Sequence, residues 1–124
     1  MELLPEEIRT QLPALYSQEH EDDPLVMVKF FHPLSDWTWY AFEYSPEERL
    51  FFGWVVGFEK EIGYFSLDEL EAIEAQLGIP MERDVSFKPM KLSEVKKLHS
   101  EMPPTQPPTI IVYFIVEDGG NEGE

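Results

Sequence analysis

The stretch Trp37 to Tyr44 reads WTWYAFEY, and its aromatic and β-branched side chains predict a β-strand. Three similar stretches lie near it: LVMVKFF at Leu25 to Phe31, LFFGWVVGF at Leu50 to Phe58, and IGYF at Ile62 to Phe65. The connections between them are shorter than the roughly twelve residues that a parallel crossover needs. The sequence therefore predicts an antiparallel sheet that is rich in aromatic residues.

Helix signals flank this sheet. Leu3 to Leu15 predicts an opening helix, because its apolar side chains recur at helical spacing. Ser66 to Glu69 reads SLDE, a capping box, and the helix that it starts is predicted to end before Gly78. Ser93 is predicted to cap a last short helix that reaches about Glu101.

Together these signals predict an α+β fold: a four- to six-stranded, mainly antiparallel, aromatic-rich sheet packed with two or three short helices. Asp84 to Met90 is predicted to be a further strand, limited to a sheet edge by Pro89. The chain of 124 residues suits one domain. The predicted divisions are a single α+β domain at 1–101, a Pro-rich linker at 102–108, a C-terminal strand at 109–116 and a disordered acidic tail at 117–124.

Composition excludes several classes of function. The net charge of −16, from 25 acidic and 9 basic side chains, repels nucleic acid and anionic membranes and favours a protein partner. The chain has no cysteine, which removes thiol nucleophiles and cysteine-based metal sites. The first residues are acidic where a secretory signal is basic, and the apolar run from Ile110 to Val116 is too short to span a bilayer. We therefore expect a cytoplasmic protein.

The predicted sheet is apolar on both faces. Alternation places Trp37, Trp39, Ala41 and Glu43 on one face of their strand, and Thr38, Tyr40, Phe42 and Tyr44 on the other. In the next strand it separates Phe52, Trp54, Val56 and Phe58 from Phe51, Gly53, Val55 and Gly57. Something must therefore cover the second face, and the opening helix, the C-terminal strand and an outside partner are the three candidates.

Two interpretations of this surplus of large side chains stay open. Either helices and terminal segments bury both faces, or part of one face is an exposed site for a partner or ligand. Gly53 and Gly57 would then leave a flat floor for another backbone or ring, whereas in a closed core they relieve crowding or mark a bulge. The candidate binding residues are Trp37, Trp39, Tyr40, Glu43, Gly53, Trp54 and Gly57.

Catalytic motifs are absent from the sequence, so no catalytic residues, metal ligands or cofactor are predicted. There is neither a Gly-rich phosphate loop nor a nucleophile elbow. His20 lies in an acidic loop that reads EHEDD, where a metal is conceivable but a solvated loop is the commoner outcome. Glu43, among aromatic side chains, is either a candidate acid–base group or an exposed strand-end carboxylate.

Four stretches carry a family resemblance: LLPEEIRTQLPALYSQE, VKFFHPLSDWTWYAFEY, FFGWVVGFEKEIGYFSLDELE and GIPMERDVSFKP, which extend from Leu3 to about Val95. On these motifs the chain resembles the bacterial family catalogued as domain of unknown function 2958. The resemblance implies an accessory protein of plasmids or other mobile elements, often encoded near anti-restriction or conjugation genes. It carries over no activity and no catalytic residue. Trp37, Trp39, Tyr40, Phe52 and Gly53 match the family pattern, which fits a core as well as a site.

The function expected from these observations is a non-enzymatic, acidic protein-binding module of a mobile element, and a sharper version is a DNA-mimicking inhibitor of a host defence protein. The alternative is a small enzyme or ligand-binding domain with its pocket on the aromatic sheet near Trp39 and Glu43. A homodimer that pairs through Thr109 to Val116 is a further possibility.

Overall fold

The computed structural model describes residues 1–101, and the predictions for the linker, the C-terminal strand, the tail and a dimer through Thr109 to Val116 lie outside them. The described part is an α+β fold with a five-stranded sheet, a two-stranded sheet and three helices, as predicted. In chain order the elements are α1 (Glu6–Arg9), β1 (Leu25–Val26), β2 (Val28–Phe31), β3 (Thr38–Ser45), β4 (Leu50–Val56), β5 (Lys60–Ser66), α2 (Leu67–Leu77), β6 (Glu82–Arg83), β7 (Met90–Lys91) and α3 (Leu92–Glu101).

The large sheet has the strand order β5-β4-β3-β2-β6, and all of its pairings are antiparallel. Within the described residues, β5 and β6 are its edges. The small sheet pairs β1 with β7. The predicted first strand is therefore broken at Met27, so that its two halves join different sheets. No helix among the described residues is long and apolar enough to cross a membrane.

Two predicted elements are wrong. The opening helix is only one turn, because the Thr10 hydroxyl bonds to the Glu6 carbonyl and Pro13 disfavours helical geometry in the residue before it. The strand expected from Asp84 to Met90 is an irregular connection between the short strands β6 and β7. There the Asp84 side chain accepts the Ser86 N–H, and the Phe87 N–H bonds to the Asp84 carbonyl, which makes a turn.

Of the two longer helices, α2 confirms its sequence signals. The Ser66 hydroxyl accepts the Glu69 N–H at 2.9 Å, and the Glu69 carboxylate accepts the Ser66 N–H at 3.2 Å, so the capping box at the start of α2 is complete. Gly78 ends the helix with φ 68°, in the left-handed region that favours glycine. The third helix begins at Leu92, so Ser93 lies in its first turn and the prediction that Ser93 caps it is wrong. The N–H and the hydroxyl of Ser93 donate to the Asp23 carboxylate instead.

A β-bulge in β3 changes the assignment of side chains to faces. The register with β4 shifts between Ala41 and Glu43, so that Phe42 and Glu43 together oppose Phe52. Glu43 therefore lies on the face of Phe42 and Phe52, and the prediction that it shares a face with Trp37 and Trp39 is wrong. Beyond the bulge Tyr44 joins the opposite cluster, which also differs from the prediction.

The first face of the large sheet carries Trp39, Ala41, Tyr44 and Phe51. It is covered by α2, through Leu67 and Leu70, and by the opening segment, through the buried residues Leu3 and Leu4. The opening segment thus covers the face opposite to Glu43. At the end of β4, Phe58 packs edge-on against Trp37 with ring centroids 5.2 Å apart, rather than beside Phe52 as predicted.

The second face carries Tyr40, Phe42, Trp54 and Val56. Its cover is the third helix together with the small sheet, which contribute the buried side chains of Val26, Leu92 and Val95. Of the three predicted candidates, the opening segment lies on the other face, Thr109 to Val116 lies outside the described residues, and an outside partner stays a prediction. The cover is incomplete over β5, where Ile62 and Tyr64 stay half exposed.

The two central glycines make room for this chain's own atoms. A Cβ on Gly53 would lie 1.9 Å from the Tyr40 carbonyl oxygen in the neighbouring strand. A Cβ on Gly57 would lie 2.3 Å from the ring of Trp37. Both positions are thus occupied from within the chain, one by a close strand approach near the bulge and the other by an indole ring.

We expect Gly53→Ala to lower the free energy of unfolding by about 2–3 kcal/mol, because the neighbouring backbone must move to admit a methyl group. Gly63→Ala is the matched control, since nothing lies within 4 Å of its added Cβ, and it should change stability by less than about 0.5 kcal/mol. Equilibrium urea unfolding measures both. Equal midpoints for the two variants would contradict the close approach at Gly53.

Candidate functional site

A groove of about 420 Å³ opens on the second face, bordered by β5, the start of α3 and the loop of residues 10–24. Phe42 and Phe52 form its floor, Ile62 and Tyr64 border it from β5, and Tyr16 borders it from the loop. The exposed fractions are 61% for Tyr16, 49% for Ile62 and 51% for Tyr64. The groove is therefore an apolar surface open to solvent, where the cover of the sheet ends.

The aromatic rings of the groove touch one another. Phe52 and Tyr64 have ring centroids 4.9 Å apart, and Phe42 meets Phe52 edge-on at 5.9 Å. The Tyr16 phenol lies near that of Tyr64, close enough to raise its pKa. The loop and β5 thus meet across the groove, where the rings of Phe42, Phe52 and Tyr64 form one aromatic surface.

The loop side of the groove is acidic. Glu19, Glu21 and Asp22 line it, and Glu43 lies at its base. Among the described residues that line the groove, Lys96 is the one basic side chain. Its Nζ lies 5.7 Å from the ring centroid of Trp54, an arrangement in which a cation is attracted to an aromatic face.

Glu43 positions the loop that forms this side of the groove. Its carboxylate is 3% exposed, and its two oxygens accept the backbone N–H groups of Tyr16 and Gln18, each at 2.8 Å. Tyr16 has φ 72°, a left-handed conformation that is uncommon for tyrosine and is held here by these bonds. Because both carboxylate oxygens bond to backbone amides, the visible role of Glu43 is structural.

Two further contacts fix the same loop. The Gln18 amide donates to the Phe42 carbonyl at 3.2 Å and accepts the Leu25 N–H at 3.0 Å. Farther along, the Asp23 carboxylate accepts both the N–H and the hydroxyl of Ser93, at 2.8 and 2.7 Å. These bonds lower the pKa of Asp23. The loop is thus tied to the bulge at one end and to the third helix at the other.

The field in the groove is negative at its tyrosine end. The nearby Tyr16 phenol is the main cause that raises the pKa of the Tyr64 phenol, and burial and the carboxylates of Glu43 and Glu19 raise it further. Tyr64 is therefore a neutral phenol at physiological pH, with carboxylates around it.

Beside the groove, a buried pair fastens the third helix to the sheet. The Tyr40 hydroxyl and His99 Nε2 are 2.6 Å apart in a hydrogen bond, and the His99 ring stands edge-on to both Tyr40 and Trp54. Burial, followed by the positive charges of Lys60 and Lys29, lowers the pKa of His99. Burial raises the pKa of Tyr40. Both side chains are thus neutral at physiological pH.

A family model for proteins of unknown function, DUF2958, matches residues 3–101 of the chain. The chain belongs to the DUF2958 family. No curated protein and no solved structure shows significant similarity to it. The resemblance stated on the four sequence motifs is confirmed, and the matched span covers all but the first two of the described residues of this DUF2958 member.

The predicted binding residues do not form one site in this DUF2958 fold. Trp37, Trp39 and Gly53 belong to the first face, and Tyr40 and Trp54 lie beneath the third helix. Only Glu43 borders the groove. Because the bulge puts Trp39 and Glu43 on opposite faces, the pocket that contains Glu43 does not contain Trp39.

Sequence reasoning missed Tyr16, Ile62 and Tyr64 as site residues. The alternation of Ile62 and Tyr64 with Glu61 and Gly63 was the available signal, since it marks one apolar side of an edge strand. Among residues 1–101, no group of three or more His, Asp or Glu side chains is arranged to hold a metal ion.

A buried histidine lies apart from the groove, after β2. The His32 Nδ1 atom accepts the Leu34 N–H at 3.2 Å, so the ring proton is on Nε2, which has no hydrogen-bond partner in the described part of the chain. Burial lowers the pKa of His32. Protonation of Nδ1 would also place its N–H against the Leu34 N–H, so that two donors would face each other.

We expect Glu43→Gln to lower the free energy of unfolding by about 1–3 kcal/mol, because its amide NH₂ would face a backbone N–H that now has an acceptor. Glu48→Gln, an exposed carboxylate, is the control. Urea unfolding gives the free energy, and limited proteolysis reports opening of the loop. A variant as stable as the wild type would contradict the structural role, and full loss of an identified reaction without loss of stability would favour acid–base chemistry.

We expect the free energy of unfolding to fall as the pH drops below about 6.5, the ordinary pKa of histidine. The unfolded chain then binds a proton at His32 that the folded chain takes up only at a lower pH, so the His32 contribution to stability falls by at most about 1.4 kcal/mol per pH unit. His99, whose pKa is also lowered, adds a separate contribution of the same sign. Urea unfolding between about pH 7.5 and 5.5 measures this. His32→Asn, whose amide oxygen can accept the Leu34 N–H, should flatten the dependence, whereas His20→Gln in the exposed loop should not. An unchanged slope in His32→Asn would contradict it.

Proposed function

We propose that this DUF2958 member is a non-enzymatic binding module that docks a basic protein partner in the groove on the second face. The observation that supports this proposal is the half-exposed aromatic and aliphatic surface of Tyr16, Ile62 and Tyr64 beside a row of carboxylates. A contiguous exposed apolar patch with a polar rim is typical of protein interaction sites. The carboxylates select the sign of the partner's charge.

The charge of the whole chain supports the same partner class. A net charge of −16 attracts basic proteins over a Debye length and raises the rate of encounter, while the apolar floor supplies contact area once they meet. The same charge disfavours direct contact with nucleic acid or an anionic membrane. Cytoplasmic residence and a role as an accessory protein of a mobile element are parts of this proposal.

A narrower form of the proposal makes the partner a host defence protein whose basic DNA-binding surface accepts this chain in place of DNA. The support is the density of carboxylates and the field at the tyrosine end of the groove. The alternative, a small enzyme or ligand-binding domain, has one observation in its favour: a volume of about 420 Å³ suits a small ligand. Against it, both oxygens of Glu43 are already used by the loop.

In the test, a bacterial lysate is passed over three immobilised forms of the chain. They are the wild type, the double variant Ile62→Ser with Tyr64→Ser, and the double variant Leu34→Ser with Val85→Ser. The last pair is exposed and lies outside the groove. We expect the wild type and the Leu34/Val85 variant to retain the same basic protein at about 0.1 M salt, and the Ile62/Tyr64 variant to retain at least about tenfold less. Thermal unfolding verifies that all three are folded.

Elution with salt and with duplex DNA distinguishes docking of a basic partner in general from DNA mimicry. Retention that weakens between about 0.1 and 0.5 M salt supports the role of charge. Elution of the partner by duplex DNA supports DNA mimicry, and failure of DNA to elute it rejects mimicry. Equal retention by all three forms would reject the groove as the docking site.

A further inference from the structure

The tyrosine end of the groove combines two features that recognise one kind of side chain. Tyr16 and Tyr64 lie there with the carboxylates of Glu19 and Glu43, whose charges act on the Tyr64 phenol. Aromatic faces and carboxylates both attract cations. We propose that this end of the groove is a subsite for the guanidinium group of an arginine, held between Tyr16, Tyr64 and the carboxylates of the loop. The inference rests on the proposed function, since the arginine belongs to the basic partner.

The aromatic half of the subsite is open to solvent. Tyr16 and Tyr64 are each more than half exposed and both line the groove, with Phe52 behind Tyr64 at 4.9 Å. A cation within about 6 Å of such a ring is attracted by its negative face. The phenol of Tyr64 keeps its proton, so the ring offers a face rather than an anion.

Beside the same groove, the chain already places one of its own cations over an aromatic ring. Lys96 lines the groove, and its Nζ stands over Trp54 at 5.7 Å. No cation–aromatic contact within the described residues occupies Tyr16 or Tyr64. Trp54, beneath the third helix, thus has a cation over its ring, whereas Tyr16 and Tyr64 have none among the described residues.

The loop that carries the acidic residues of the subsite is held in place by hydrogen bonds that do not involve the carboxylates of residues 19–22. Glu21 and Asp22 form no ion pair with another described residue, and Glu19 contacts only the exposed His20. They lie between two anchors, since Glu43 binds Tyr16 and Gln18, and Ser93 binds Asp23. Ordering this loop on binding therefore costs little, because both ends are already fixed.

Arginine fits this arrangement better than lysine. Its planar guanidinium stacks on a ring while its edge N–H groups bond to carboxylates, whereas an ammonium group is a point charge with a strong hydration shell. We therefore expect the bound side chain to be arginine, and the test below includes lysine for comparison.

The test uses the full chain and three capped pentapeptides, Gly-Gly-X-Gly-Gly, in which X is arginine, lysine or citrulline, the neutral analogue of arginine. Amide chemical shifts in two-dimensional NMR report binding. We expect the arginine peptide to shift the amides of residues 16–22 and 62–64 with a dissociation constant of about a millimolar, the lysine peptide to bind more weakly and citrulline not to bind. Equal shifts with citrulline, or shifts confined to other regions, would overturn the subsite.

Two pairs of variants locate the interaction. Tyr64→Leu should weaken arginine binding about three- to tenfold, as should Glu21→Gln with Asp22→Asn. The matched controls are Phe58→Leu, an exposed aromatic outside the groove, and Glu7→Gln with Glu48→Gln, which remove the same charge elsewhere. Equal weakening by the charge control would overturn the local role of the loop, and equal binding by lysine would overturn the arginine assignment.

The peptide test and the lysate test can fail independently of each other. If the wild type retains a partner through Ile62 and Tyr64 while the arginine peptide gives no shifts, the subsite is wrong and the docking groove stands. If the arginine peptide binds as expected while all forms of the chain retain the same proteins, the docking groove is wrong.

Discussion

The extra residue in β3 is the constraint on which the rest of the second face depends. By opposing Phe42 and Glu43 to a single residue of β4, the bulge turns a carboxylate away from the first face, where it would meet Trp39 and Phe51. A buried carboxylate is costly unless its oxygens are satisfied, and here two backbone amides satisfy it. The same bulge frees the Phe42 carbonyl for Gln18 and the Tyr44 N–H for the Pro13 carbonyl. The loop of residues 10–24 is folded against the sheet by these bonds.

The two faces of the large sheet differ in how completely they are covered. The first face is closed by α2 and by the opening segment, with the rings of Phe30, Phe51 and Phe65 packed in sequence. The second face is closed only where the third helix and the small sheet reach. The helix is held over Tyr40 and Trp54 by His99 and does not extend to β5. Its position therefore leaves the aromatic surface beside β5 in contact with water.

Local signals predicted those parts of the fold that local chemistry determines. The aromatic strands, the capping box at Ser66 and the antiparallel order follow from residue type and spacing, and the structure confirms them. Nothing in the residues AFEY marks the bulge, because their order is equally compatible with a regular strand. One inserted residue then reverses every face assignment that follows it. The short opening helix and the turn at Asp84 reflect competition from nearby hydrogen bonds. The groove could not be predicted, since exposure of Ile62 and Tyr64 depends on where a distant helix stops.

The two anchors of the acidic loop have a consequence for how this surface can change over generations. Glu43 and Ser93 hold the loop through backbone amides and through Asp23, whereas the exposed side chains of residues 19–22 lie between those attachments. Substitutions at these four positions therefore leave the attachments intact and alter only the charge presented to solvent. Variants of this chain can therefore differ widely in the charge of the loop while its backbone stays attached to the sheet and to the third helix.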